Sequence, residues 1–256
     1  MIVYGINPVL EALRARRVTR LRVGGRGDRR IEEALALARR GNVRVEQVDA
    51  QALDRAARGG LHQGIVADVE AAHEYSVGEL IAASPAAPLI VVLDGIEDPH
   101  NVGAILRTAD AAGVQGIVRQ ARHSAALDGA AAKASAGAVA HVRIATVVNI
   151  ARAIEELKEA GVWTVGLAGD APESYDAVDF TVPTAIVVGA EGTGLRRLVR
   201  ERCDRLVFIP MLGSVESLNV SVATGVALYE AVRQRRQAAV SARSGSTDGE
   251  KKQARE

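Results

Sequence analysis

The chain has 256 residues, of which 48% are hydrophobic and 25% charged, and its formal net charge is +1, as in a globular protein with a sizeable core. It lacks an apolar run of the roughly 18–20 residues that span a membrane, and its N-terminus lacks the segments of a signal peptide. The single cysteine, Cys203, excludes an intramolecular disulfide framework and a zinc site with several cysteines, and we expect a cytoplasmic protein.

The first 58 residues are more basic than the rest of the chain. They hold 13 arginines and no lysines against 7 acidic residues, an excess of six positive charges. A local basic excess is typical of a surface that binds nucleic-acid phosphates. The alternative is a solvated surface in an arginine-rich protein, since only four of the 32 basic residues are lysine. Charge alone leaves both interpretations open.

Alternating helix and strand patterns predict a small α/β domain over residues 1–71. Asn7 and Pro8 are typical of a helix start, and a second helix is predicted over 31–40, ending at Gly41. Strands are predicted at 20–23, 43–48 and 62–67 from alternating apolar residues. The proline-punctuated stretch 72–88 is predicted to be a linker.

From Leu89 to residue 236 the pattern predicts a second, larger α/β domain. The run Leu89–Leu93 is continuously apolar, as expected of a parallel strand buried on both faces. Further strands at 116–118, 142–144, 163–167, 185–188 and 206–209 alternate with helices at 101–112, 130–140, 150–160 and 222–236. This alternation predicts a mostly parallel sheet with flanking helices. Residues 237–256 are polar, and we expect a disordered tail.

Three loops follow apolar strands and carry the polar residues that a ligand site needs. The first, residues 94–108, contains Asn101, a natural helix N-cap, and Arg107, which by itself is equally consistent with an ordinary surface arginine. The second, residues 188–197, is rich in glycine, but Arg197 stands where a dinucleotide-binding loop needs its third glycine. The third, residues 209–223, crowds three serines and Asn219 before a helix, where Ser217 or Asn219 suits a cap.

Together the loops resemble the three signature motifs of the SpoU/TrmH branch of the knotted RNA methyltransferases. The matching segments are Asp98-Pro99-His100-Asn101-Val102-Gly103-Ala104 with Arg107, Gly189-Ala190-Glu191-Gly192-Thr193-Gly194, and Ile209-Pro210-Met211 through Ser217-Leu218-Asn219-Val220-Ser221. The front segment resembles the substrate-binding domain of bacterial 23S rRNA guanosine-2′-O-methyltransferases through residues 4–9 and 62–65. Two segments depart from the family pattern. Residues 119–124, Arg-Gln-Ala-Arg-His-Ser, replace an expected Pro-Lys-Asp-Arg-Ser run, and residues 140–143, Ala-His-Val-Arg, lack the usual acidic residue and proline.

The resemblance implies a deep trefoil knot in a catalytic domain over 89–236, behind an L30e-like RNA-binding domain. It implies that Gly189, Ile209 and Leu218 bind S-adenosylmethionine and that Arg107, Asn101, Glu191, Ser217 and Asn219 form the catalytic set. It also implies a homodimer and the transfer of a methyl group to a ribose 2′-hydroxyl, most simply of a guanosine in 23S rRNA. Because DNA lacks that hydroxyl, RNA is the expected partner.

A guanidinium group is a poor base at neutral pH. We therefore expect Arg107 to bind the target phosphate and stabilise the developing alkoxide, with the proton leaving to another acceptor. Three alternatives remain at this point: a tRNA 2′-O-methyltransferase, a non-catalytic RNA-binding or ribosome-assembly protein, and a nucleotide-dependent oxidoreductase. The glycine spacing of the second loop counts against the oxidoreductase.

Overall fold

The computed structural model describes residues 1–25, 29–70, 73–84, 87–127 and 129–253, with side chains up to residue 241, and it contains two sheets. The front sheet has the strand order β1-β4-β2-β3, with β1 and β2 antiparallel to β4 and β2 parallel to β3. Its elements are β1 (Ile2–Tyr4), α1 (Ile6–Arg14), β2 (Val18–Val23), α2 (Arg29–Arg40), β3 (Arg44–Gln47), α3 (Ala50–Ala56) and β4 (Ile65–Val69). The predicted small α/β architecture is confirmed within these residues.

The helix α1 begins at Ile6, two residues earlier than predicted, so Asn7 is not its cap. Gly5 precedes the helix with a φ of 89°, a left-handed conformation that glycine adopts without steric cost. Val9, Leu10 and Leu13 then lie on the buried face, since residues three and four apart share one side of a helix.

The predicted linker is partly helical. Ser76 caps α4 (Val77–Ala82) and forms a capping box with Glu79, which satisfies backbone donors at the helix start. Val77 and Leu80 are buried in the same apolar cluster as Ile150 and other residues of the larger domain. This part of the segment therefore packs on the larger domain and does not serve as an extended connector. The predicted boundary at residues 71 and 72 lies outside the described residues, as do residues 85 and 86.

The larger sheet has seven parallel strands in the order β7-β6-β5-β10-β8-β11-β9. They are β5 (Leu89–Asp94), β6 (Gly116–Gln120), β7 (Ile144–Val147), β8 (Trp163–Leu167), β9 (Glu173–Ser174), β10 (Thr184–Gly189) and β11 (Arg205–Phe208). The central strands β5 and β10 are buried along their whole length, as their continuous apolar runs predict. The chain leaves β5 toward one edge and β10 toward the other, so the switch point of the sheet lies between these two strands.

Helices cover both faces of this sheet, as expected. They are α5 (Pro99–Ala111), α6 (Gly129–Ala134), α7 (Ile150–Glu159), α8 (Arg197–Arg202) and α9 (Val220–Gln253), with short 3-10 turns at Ala138–Ala140 and Tyr175–Ala177. The single helix predicted over 130–140 is thus divided, because Gly137 adopts a left-handed conformation with a φ of 97°. Within the described ranges, none of the helices has the length and apolarity that crossing a bilayer requires.

The backbone of α9 continues through Gln253, which corrects the disordered tail predicted from residue 237. Ala238 and Ala239 have high helix propensity, and the sequence offers no proline to end the helix after residue 236. Residues 254–256 lie outside the described part of the chain.

The front domain packs against α6 and the turn that follows it. The Tyr4 ring packs so closely against Gly129 that a side chain at this position would overlap it. The Glu11 side chain packs equally closely against Gly137. Arg17 Nη1 donates a 3.2 Å hydrogen bond to the Ala140 carbonyl oxygen. Apolar side chains of both domains belong to one continuous cluster.

Candidate active site

The three loops singled out in the sequence meet at one end of the larger sheet. Gly189, the last residue of β10, lies in parallel register beside Asp94, the last residue of β5. The first two loops therefore leave the sheet side by side at its switch point, where open α/β sheets bind ligands. The third loop joins them because Asn219, just before α9, contacts residues of both.

Asn219 connects the three loops through its side-chain amide. Its Nδ2 group donates to Asn101 Oδ1 at 2.9 Å and to Glu191 Oε1 at 2.5 Å. Its Oδ1 atom accepts from the backbone N–H groups of Ser221 at 2.9 Å and Val222 at 3.4 Å, and so caps α9. These opposite demands on oxygen and nitrogen determine the orientation of the amide. The residue is both a helix cap and a connector of the site.

Asn101 is not the N-cap that its position predicted. Asp98 caps α5 by accepting from the His100 N–H at 2.9 Å, and Pro99 occupies the first helical position. Asn101 lies within the first turn and is only 6% exposed. Its buried carbonyl oxygen is satisfied by Asn219. The residue therefore belongs to the site.

The glycine-rich loop folds back onto the end of β10. Gly192 and Gly194 have φ values of 77° and 66°, and the Gly194 N–H donates to the Ala190 carbonyl at 2.8 Å to close a tight turn. A Cβ atom on Gly189 would lie 2.1–2.3 Å from backbone atoms of Gly194 and Leu195. Only glycine fits at position 189 without moving the backbone.

A cavity of about 680 Å³ lies between the second and third loops. All three residues expected to bind the cofactor, Gly189, Ile209 and Leu218, line it. Glu191, Ser217 and Asn219 of the expected catalytic set line it too. The volume is within the roughly 300–1,000 Å³ usual for small-molecule sites.

The side chains that line this cavity fit S-adenosylmethionine. Apolar side chains such as Leu167 and Val188 suit an adenine ring, while the carboxylates of Glu191 and Glu216 suit ribose hydroxyls and a positively charged sulfonium group. Arg200 also lines the cavity, but Asp170 binds its guanidinium through two hydrogen bonds of 2.7 and 3.0 Å. This guanidinium lowers the pKa of the Asp170 carboxyl below its usual value.

A second cavity, of about 550 Å³, lies on the other side of the glycine-rich loop. Asn101 lines this cavity, and Glu191 lines both cavities. At its base, the buried Asp94 carboxylate accepts from the Arg196 backbone N–H at 2.8 Å and from Arg196 Nε at 2.6 Å. Arg196 also donates to Gln120 Oε1 at 2.6 Å. Sequence reasoning missed this group, because the partners are distant along the chain and neither residue is unusual in its own loop.

Arg107 is not among the residues that line either cavity. It is exposed on α5, six residues after Asn101, which rotates it by about 120° around the helix from that residue. The structure therefore brings together Asn101, Glu191 and Asn219, places Ser217 in the lining of the first cavity, and leaves Arg107 outside both cavities.

Cys203 is a partly buried thiol whose Sγ atom donates to the Val199 carbonyl oxygen at 3.3 Å. Burial, followed by the nearby Asp204 charge, raises the pKa of Cys203 to about 12. The thiol is thus protonated at neutral pH and unsuited to act as a nucleophile.

Two family models match the chain. The model described as the SpoU rRNA methylase family matches residues 88–229, and one described as RNA 2′-O ribose methyltransferase substrate binding matches residues 2–75. The chain belongs to the SpoU rRNA methylase family. The sequence resemblance to this family is confirmed, and the two matched segments coincide with the two sheets.

Curated relatives and solved structures agree with this assignment to the SpoU family. The chain is 46% identical over 239 residues to the 23S rRNA (guanosine-2′-O-)-methyltransferase RlmB of Pseudomonas syringae pv. tomato, covering 91% of this chain and 95% of that protein. Identity to RlmB of Yersinia pestis is also 46%, covering 91% and 97%. The SpoU methyltransferase AviRb from Streptomyces viridochromogenes, solved in complex with AdoMet, superposes with a TM-score of 0.79 at 27% identity, covering 93% of this chain and 91% of AviRb. An AdoMet-bound rRNA methyltransferase from Sinorhizobium meliloti gives a TM-score of 0.76 at 26% identity, covering 91% and 86%.

Proposed function

We propose that this SpoU-family protein transfers a methyl group from S-adenosylmethionine to the ribose 2′-hydroxyl of a guanosine in 23S rRNA. The observation that carries the proposal is the hydrogen-bonded group of Asn101, Asn219 and Glu191, which lies beside a cavity lined by Gly189, Ile209 and Leu218. The RlmB relatives, which span nearly the whole chain, support guanosine in 23S rRNA as the substrate.

The chain's own residues would position the reacting groups. Bound S-adenosylmethionine supplies a methyl group on a positively charged sulfur. Gly189, Ile209 and Leu218 hold this donor, and Glu191 presents its carboxylate where the two cavities meet. Holding two reactants in the reactive geometry is by itself worth a large part of the rate, with effective molarities of roughly 10⁵–10⁸ M in favourable systems.

Asn101, Ser217 and Asn219 orient the target ribose, and Arg107 binds its phosphate and stabilises the charge that develops on the 2′-oxygen. Because guanidinium stays protonated, the proton leaves to another acceptor. No covalent enzyme intermediate is needed, which agrees with the protonated state of Cys203.

In a homodimer, Arg107 of one copy could face the donor cavity of the other copy and complete the active site there. Arg107 is exposed and lines neither cavity, so a second copy is a simple way to oppose it to the donor site. Large apolar side chains are also exposed along one face of α9, at Val222, Tyr229 and Val240, which repeat at helical spacing. Exposed apolar stripes of this kind are typical of protein interfaces.

The front domain would bind the RNA through its arginines. Six exposed arginines have no carboxylate partner among the described residues: Arg16, Arg29, Arg39, Arg40, Arg55 and Arg58. Such side chains suit phosphate contacts that position an RNA without reading its bases. We further propose an L30e-like fold for this domain, a deep trefoil knot in the catalytic domain, and a cytoplasmic location, where ribosomal RNA is available. We expect no partner role for DNA, which lacks the 2′-hydroxyl.

The decisive experiment incubates the purified protein with tritiated S-adenosylmethionine and with unmodified 23S rRNA, 16S rRNA or tRNA, and then maps 2′-O-methyl groups. We expect one methylated guanosine in 23S rRNA. Methylation of tRNA alone would identify a tRNA enzyme. Absence of transfer together with absence of saturable S-adenosylmethionine binding would identify a non-catalytic RNA-binding protein and refute the proposal.

A further inference from the structure

The second cavity adjoins the donor cavity, and Glu97 in its lining takes no part in the methyl transfer proposed above. We infer that it binds the guanine base of the target nucleotide and that Glu97 is the carboxylate that recognises this base. The inference rests on the proposed function, since it names how that same site selects its nucleotide.

The position of the cavity is the first support. It opens at the carboxyl ends of β5 and β10, at the switch point of the sheet, and the loop Ala190–Gly194 separates it from the donor cavity. Glu191 lines both cavities, Asn101 lines the second cavity, and Asn219, which lines the donor cavity, donates to both of them. A nucleotide whose ribose lies at this junction, with its 2′-oxygen toward the donor, has its base directed into the second cavity.

The charge of the cavity excludes phosphate as its occupant. Its lining includes the four carboxylates of Asp94, Glu97, Asp98 and Glu191, and its cation, Arg196, is bound by Asp94. Carboxylates repel a phosphate group but accept hydrogen bonds from the N–H groups of a neutral base. The cavity therefore suits a base that presents donors.

Three of these carboxylates are already committed to protein partners. Asp94 binds Arg196, Asp98 caps α5, and Glu191 accepts from Asn219. Among the described residues, the one polar contact of the Glu97 side chain is between its Oε1 atom and His123 Nδ1, 3.5 Å apart, and the side chain is 66% exposed. Both of its oxygens can accept further hydrogen bonds from a ligand, since each carboxylate oxygen has two lone pairs.

A free carboxylate discriminates between the four bases. Guanine alone presents two adjacent donors, N1–H and the N2 amino group, on its Watson–Crick edge, and these match the two oxygens of one carboxylate. Adenine, cytosine and uracil place an acceptor beside each donor on that edge, which a carboxylate repels. Enzymes that act on an unstacked nucleotide commonly read this edge.

Beside Glu97, the cavity wall includes a residue of a segment that departs from the family pattern. Within residues 119–124, His123 lines the cavity and pairs with Glu97, while Gln120 binds Arg196 at its base. The His123 backbone has a φ of 54°, so this segment turns sharply to present the imidazole. The contact between His123 and Glu97 thus helps to position the carboxylate at the cavity.

The test measures kcat/KM for methyl transfer to two synthetic RNA hairpins that span the guanosine mapped in 23S rRNA. One carries guanosine at the target position and the other carries inosine, which lacks the N2 amino group. For the wild-type protein we expect inosine to lower kcat/KM by about 10- to 100-fold, the effect of one hydrogen bond to a charged group. Glu97→Gln should lower kcat/KM for guanosine by a similar factor or more, and by a smaller factor for inosine, because one of the two contacts is already absent there.

If Glu97→Gln lowers kcat/KM by the same factor for the guanosine and inosine hairpins, or leaves both values unchanged, the inference is overturned. The proposed function would still stand. A wild-type protein that transfers no methyl group to the guanosine hairpin or to intact 23S rRNA would overturn both. The thermal midpoint and S-adenosylmethionine affinity of Glu97→Gln should match those of the wild type, which shows that the fold and donor site are intact. Glu159→Gln, an exposed glutamate at the end of α7, is the matched control and should retain wild-type selectivity.

Discussion

Replacing Asn219 by aspartate separates the two roles of this side chain. Aspartate keeps the oxygen that caps α9 at the Ser221 and Val222 N–H groups, but it loses the Nδ2 donor that binds Asn101 and Glu191. The charged bond to Glu191 is worth about 1.5–3 kcal/mol and the neutral bond to Asn101 about 0.5–1.5 kcal/mol. Since about 1.4 kcal/mol corresponds to a tenfold change, kcat/KM at pH 8 should fall by about 30- to 2,000-fold.

The pH dependence of Asn219→Asp provides the sharper test. Its new carboxylate lies beside Glu191, and because two adjacent carboxylates cannot both ionise readily, the pKa of one of them rises. As the pH falls through that raised pKa, one group retains a proton and its O–H donates in place of the lost N–H. The activity of the variant relative to wild type should therefore rise as the pH is lowered from 8.

Asn219→Ser is the matched control, because serine also caps helices but adds no charge. It should lose methyl transfer to 23S rRNA without recovering at lower pH. Activity of Asn219→Asp within twofold of wild type at pH 8, or a pH trend shared with Asn219→Ser, would refute the role assigned to the Nδ2 donor.

Three further predictions concern other parts of the SpoU domain and the helix before it. Arg107→Ala should lower methyl transfer by about 100-fold or more, as expected for loss of a charge-stabilising group, while calorimetry shows unchanged S-adenosylmethionine affinity; near-wild-type transfer would remove Arg107 from the mechanism. Gly189→Ala should lower the free energy of unfolding in urea by about 1–3 kcal/mol and weaken donor binding, because its Cβ atom would overlap the backbone of the glycine-rich loop. The control Gly78→Ala, in a helix with open space around the site, should raise it by about 0.5–1 kcal/mol with activity unchanged. Iodoacetamide at pH 8 should label Cys203 quickly in urea but very slowly in the native protein, since a pKa of about 12 leaves only about 10⁻⁴ of the thiol ionised; rapid native labelling would contradict the burial of this thiol.

Local sequence patterns predicted the layers of the fold well. The apolar runs of β5 and β10 indicated a parallel sheet, and the structure shows both strands buried at its centre. These patterns succeed because every residue of a strand that is buried on both faces is in an apolar environment, so the whole strand is apolar in sequence. Helix ends were predicted less well: Asp98, not Asn101, caps α5, since an aspartate followed by proline satisfies the first turn better.

The long-range contacts of the site were not predictable from local pattern. Asn101 and Asn219 are 118 residues apart, and Asp94 and Arg196 are 102 residues apart. Spacing within each loop carries no information on such partners. The family resemblance nominated Asn101, Glu191 and Asn219 as a set, and their mutual hydrogen bonds stay consistent with that prediction. The roles of Ser217 and Arg107 remain predictions.

Arg235 in α9 links the first and last parts of the SpoU domain. Its guanidinium donates to the carbonyl oxygens of Ala87 and Pro88, which precede β5, and to those of Phe180 and Val182, at 2.8–3.2 Å. The contact with Ala87 joins residues 148 positions apart. During synthesis, the ribosome must therefore release almost the whole catalytic domain before α9 can dock, and Asn219 reaches the site only with that helix. We therefore expect the proposed site to be completed late in translation, once α9 has docked.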